Sequence, residues 1–118
     1  MKWLLPVSFI ALLAIGCSGT ARREVSVRDV TKSEVFILKK LPDQGSVFGI
    51  TVVGRGSVDG KAEVALVLDG ATSQKELISG KVSFEWRADW YADHAEVRYI
   101  SGTASQGSLT LQYEFADL

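Results

Sequence analysis

The chain has 118 residues and carries 13 Lys and Arg against 14 Asp and Glu, a formal net charge of −1. With no basic excess or stripe, it lacks the electrostatic footprint of a nucleic-acid binder, and its mild negative charge argues against adhesion to an anionic lipid surface by charge alone. A single cysteine excludes an internal disulfide, and the absence of Asn excludes N-linked glycosylation.

In chain order, the first element is an address. Met1-Lys2 is followed by an apolar run from Trp3 to Ile15 and a small-residue junction, Gly16-Cys17-Ser18-Gly19. One basic residue, about 13 mostly apolar residues and small residues at the junction have the layout of a secretory signal. The segment Leu13-Ala14-Ile15-Gly16-Cys17 resembles the lipobox of bacterial lipoproteins. That resemblance implies cleavage before Cys17 and lipid on its thiol, with anchoring by two or more acyl chains at roughly 0.8 kcal/mol per buried methylene. It divides the chain into a signal peptide (1–16), a lipidated tether (17–24) and a domain (25–118). Ser18 after the cysteine implies the outer membrane, facing the periplasm; in a Gram-positive source the outer face of the cytoplasmic membrane takes its place. Two alternatives are release as a soluble periplasmic protein and retention of Trp3–Ala21 as an uncleaved anchor. The second is opposed by Arg22 and Arg23, which would favour keeping the domain in the cytoplasm.

Beyond the tether, apolar residues recur with period two, the pattern of strands with one buried face. Val25 and Val27 begin it, followed by Val35 and Ile37, then Val64, Leu66 and Leu68, then Val82, Phe84 and Trp86, then Val97 and Tyr99. The last run alternates most regularly, with Leu109, Leu111, Tyr113 and Phe115 spaced by polar residues. Turn signals fall about every ten residues, as in an all-β sandwich or barrel. They are Pro42-Asp43-Gln44-Gly45, Asp69-Gly70, Ser79-Gly80, Ser101-Gly102, Gln106-Gly107 and Asp59-Gly60, the last suited to a two-residue hairpin turn. Gly54 and Gly56 within a run predict a bulge, and Ser73–Ile78 has room for a short helical turn. The expected fold is an antiparallel β-sandwich of six to eight strands, with a small β-barrel as the alternative.

One pairing follows from arithmetic. If 81–89 and 94–101 form a hairpin about Trp90–Asp93, Trp86 meets Val97 and Phe84 meets Tyr99 on the inner face. Outside, Glu85 meets Arg98, Arg87 meets Glu96 and Asp89 meets His94. Apolar faces apolar and opposite charges face each other on every rung, and a slip of one residue destroys both matches. The final strand would then add beside this hairpin.

Reactive chemistry is sparse. His94, the sole histidine, would need a hydroxyl in reach to serve a small hydrolase, and no Gly-x-Ser-x-Gly elbow occurs; pairing with Asp89 is the simpler expectation. Zinc wants three or four converging ligands, and Asp89, Asp93, Glu96 and His94 offer one strong nitrogen, so no metal is expected. No catalytic residue and no cofactor fingerprint stands out. Trp90 and Tyr91, large aromatics at a predicted turn, are the candidate contacts for a sugar ring or a protein partner. The sequence therefore points to a membrane-anchored, non-enzymatic envelope lipoprotein that binds an envelope protein or serves a structural role. A carbohydrate- or peptidoglycan-binding module is the alternative, and a hydrolase centred on His94 is the third.

Overall fold

A computed structural model describes residues 22–118. The leader, Cys17 and most of the tether lie outside the described residues. Among the described residues the secondary structure is all β: β1 (Arg23–Ser26), β2 (Glu34–Lys39), β3 (Val47–Leu68), β4 (Ala71–Asp89), β5 (His94–Ile100) and β6 (Gln106–Asp117). Six strands fall within the expected six to eight.

All strands join one antiparallel sheet in the order β1-β6-β3-β5-β2, with β4 on the other edge of β3. The sheet curls into a sandwich because β3 changes neighbours along its length. Its first part, from Val47 to Asp59, pairs with β6, and its second, from Glu63 to Val67, pairs with β5. β4 follows β3 through both parts. One arm is thus β1-β6-β3-β4 and the other β2-β5-β3-β4. Val52, Val82, Trp86, Leu111 and Phe115 from the first arm and Leu38, Leu66, Val97 and Tyr99 from the second share a single buried cluster.

The corner of the curl lies where a hairpin turn is predicted. Asp59-Gly60 sits inside β3, and the three residues Asp59–Lys61 stand opposite Ser79 alone, between the pairs Val58–Gly80 and Ala62–Ile78. Extra residues on one strand bend it and sharpen its twist. Gly60 has φ +99°, and a Cβ there would lie 2.3 Å from the Thr103 carbonyl oxygen. Thr103 holds the corner, its N–H donating to the Lys61 carbonyl (2.9 Å) and its hydroxyl accepting from the Lys61 N–H (2.9 Å). The two-residue turn is instead Asp69-Gly70, both at positive φ (+50° and +82°), which closes the β3–β4 hairpin at the pair Leu68–Ala71. Gly54 and Gly56 keep unbroken register with β4 and β6, so the bulge expected there has moved to the corner. At Gly54 the missing side chain admits the Phe84 ring, which would lie 2.2 Å from a Cβ. Ser73–Ile78 is extended, within β4.

The hairpin of 81–89 with 94–101 does not form. β4 pairs with β3, β5 lies between β3 and β2, and β6 lies between β3 and β1. Alternation fixes which face of a strand is buried, and that part holds: Val82, Trp86, Val97 and Tyr99 are all in the core. It does not fix the neighbour. The two strands belong to different arms, and their charges pair along each strand, Glu85 with Arg87 and Glu96 with Arg98. Residues two apart on a strand share a face, which makes these pairs local.

Candidate functional site

With both arms folded about one corner, β4 begins and ends at the opposite, open end of the sandwich. The turn 69–70 and the crossing segment 90–93 are therefore neighbours in space although 20 residues separate them in sequence. Segment 90–93 does not turn back to pair with β4. It leads from β4 in one arm to β5 in the other, held by the Trp90 N–H on the Phe48 carbonyl (3.1 Å) and the Lys40 N–H on the Asp93 carbonyl (3.0 Å).

This crossing splits the predicted aromatic pair. Trp90 turns inward, 4% exposed, and its indole N–H donates to the His94 carbonyl at 2.9 Å. A buried indole needs such a partner, and this one pins the segment. Tyr91 turns outward and is 76% exposed. Beside it lies an open groove of about 530 Å³ lined by Leu68, Ala71, Thr72, Ser73, Asp89 and Tyr91, with Trp90 and Ala92 at its edge. The lining brings an aromatic ring, a carboxylate and two hydroxyls together with the apolar side chains of Leu68 and Ala71. Thr72 and Ser73 carried no signal in the sequence, because their approach to Tyr91 depends on a strand pairing that alternation leaves open.

His94 does not pair with Asp89. Its Nδ1 lies 3.0 Å from an Asp93 carboxylate oxygen, and that contact holds the Asp93 carboxyl below the usual carboxylate range. Among the described residues the His94 ring has no hydroxyl within hydrogen-bond distance, and no three His, Cys, Asp or Glu residues converge on a metal-sized site. No described helix is long and apolar enough to cross a membrane.

Neither a family model nor a curated protein matches the chain. The chain is similar to several solved structures. The protein PirA is 15% identical with a TM-score of 0.55, over 85% of this chain and 99% of that one. The carbohydrate-binding module CBM36, solved in complex with calcium and xylotriose, is 19% identical with a TM-score of 0.42, over 84% of this chain and 91% of that one. The infectious bursal virus derived T=1 particle is 11% identical with a TM-score of 0.32, over 81% of this chain and 33% of that one. The class defined by the strand topology and by the likeness to PirA is that of an antiparallel β-sandwich.

Proposed function

We propose that the chain is a membrane-anchored, non-enzymatic binding module of a bacterial envelope, taking a glycan in the groove beside Tyr91. The observation that carries the binding part is Tyr91 itself. Its ring is left in water beside a groove while its neighbour Trp90 is buried, which leaves a flat aromatic face open to stacking. The flat ring suits the face of a sugar, and Asp89, Thr72 and Ser73 offer the acceptors and donors that sugar hydroxyls need. The anchor rests on the lipobox-like Leu13–Cys17, with Ser18 favouring the outer membrane and the periplasmic side.

Two experiments test the two parts separately. Intact mass of the membrane-extracted protein should match residues 17–118 plus acyl chains, and a Cys17→Ser variant should lose the adduct; an unmodified full chain would remove the anchor. Titration with soluble peptidoglycan fragments, followed by calorimetry, should show binding that falls about tenfold or more in Tyr91→Ala, with the melting temperature unchanged. Equal binding by that variant, or none by the native protein, would remove the glycan.

A further inference from the structure

The edges of an antiparallel sheet carry unpaired N–H and C=O groups, and proteins guard them with short strands, charged side chains, Pro, bulges or covering groups. Among the described residues three strands have a free edge. β1 and β2 are only 4 and 6 residues long, and the Arg23 guanidinium of β1 donates to the Lys39 carbonyl of β2, closing their side of the sandwich. β4 runs 19 residues with β3 as its sole strand partner among the described residues. Its first half is guarded. Gln74 and Glu76 share the inner face with Leu66 and Val64, and the register slips between Leu66 and Val67.

The second half, from Lys81 to Asp89, has no inward charge and no bulge, and the outward charges it carries, Lys81, Glu85, Arg87 and Asp89, are of both signs. Its inner residues are Val82, Phe84, Trp86 and Ala88, it contains no Pro, and its register with β3 is unbroken from Gly80 to Asp89. The Trp90 N–H donates to Phe48 of β3, and hydrogen-bonding direction alternates along a strand. The amides of Lys81, Ser83, Glu85, Arg87 and Asp89 therefore face away from β3, toward the open edge.

We propose that this edge pairs antiparallel with β4 of a second copy about a two-fold axis at Ser83. Charge complementarity selects both occupant and register. Lys81 has no ion pair among the described residues. Two symmetric registers give it an acid, and the one centred on Glu85 sets that carboxylate against itself. The register centred on Ser83 places Lys81 opposite Glu85 of the second copy, twice by symmetry. On the inner face it places Val82 opposite Phe84, also twice. The arm β1-β6-β3-β4 then continues into its copy as one eight-stranded sheet.

The test is disulfide trapping in the full-length protein extracted from membranes. Across the axis the two Ser83 Cα atoms would stand about 5.5 Å apart, within the Cα span of a disulfide, and a local backbone shift of about 1 Å would bring the Cβ atoms into bonding range. Under a mild oxidant, Ser83→Cys should form a covalent dimer that the native chain, with Cys17 alone, does not. Ser73→Cys, on the guarded half of the same strand, should give no more than the native background. Adding Glu85→Lys to Ser83→Cys should lower the dimer yield about tenfold. Adding Lys81→Glu as well should restore it. Trapping no better at position 83 than at 73, or a double reversal that dimerises no better than Glu85→Lys alone, overturns the proposal. All these positions are on the solvent face, so the variants keep the fold.

Discussion

Tyr99 shows how single side chains hold the core without leaving polar atoms stranded. Its ring is buried among apolar neighbours, and its hydroxyl donates to the Val30 carbonyl at 2.6 Å, tying the β1–β2 connection to β5. Burial pushes its pKa up, so the phenol keeps the proton that makes this bond. Tyr99→Phe leaves the packing in place and strands the carbonyl. The expected loss is about 1 to 2 kcal/mol in urea unfolding, since a buried acceptor without a partner costs more than an average hydrogen bond contributes. An unchanged midpoint would show that water replaces the hydroxyl there. Trp90 follows the same rule through its indole N–H, and this is why its inward orientation is hard to read from sequence. A Trp beside Asp and Tyr reads as exposed unless the carbonyl that satisfies it, four residues ahead, is known. Tyr91, with its polar tip in water, was legible as an exposed side chain.

At the scale of elements, two glycines with similar dihedral angles have different duties. Gly70 (φ +82°) turns a hairpin in open space, where an added Cβ meets nothing within 4 Å, whereas Gly60 (φ +99°) turns the corner of β3 against the Thr103 carbonyl. Gly70→Ala should cost about 1 kcal/mol, the strain of a left-handed residue. Gly60→Ala adds a backbone collision and should cost about 3 kcal/mol or more, because the whole curl must shift. Thermal denaturation of the two variants side by side checks the order, and equal losses would mean the corner is soft. The same pair marks the limit of what the sequence specifies. Asp59-Gly60 and Asp69-Gly70 are the same dipeptide ten residues apart, and only the partners across the sheet decide which one becomes a turn. Faces were readable, as at Leu109, Leu111, Tyr113 and Phe115, because burial acts on every second residue of a strand. Neighbours were not. Complementary charges on 85–89 and 94–98 fit a cross-strand ladder as well as they fit pairs within each strand, and the second arrangement is the one formed.

For the molecule as a whole, the carboxylates give a pH dependence of definite sign. Asp29 is held below the usual carboxylate range by Thr31, Glu85 by Arg87, Asp93 by His94, and Asp117 by the Gly45 N–H and the Gln44 amide. The folded state therefore binds fewer protons than the unfolded chain as pH falls through the carboxylate range. The stability these groups contribute is complete above their ordinary value of about 4 and is lost as pH falls below it through the lowered values. Urea midpoints measured from neutral pH downward should stay level and then drop in acid, and Asp117→Asn should flatten the drop. A midpoint that rises on acidification would reverse the assignment.

The curl also governs when the chain can fold. Among the described residues β1 pairs only with β6, Arg23 standing opposite Tyr113, and β3 needs β6 and β5 to complete its two arms. Contacts so far apart in sequence demand the entropy of closing a long loop before they repay it, which makes such topologies slow. On a growing chain the first arm has no place for β1 until residues 106–117 have been made. A sandwich wired in this way can form its β3–β4 hairpin early but cannot seat β1 until β6 has emerged.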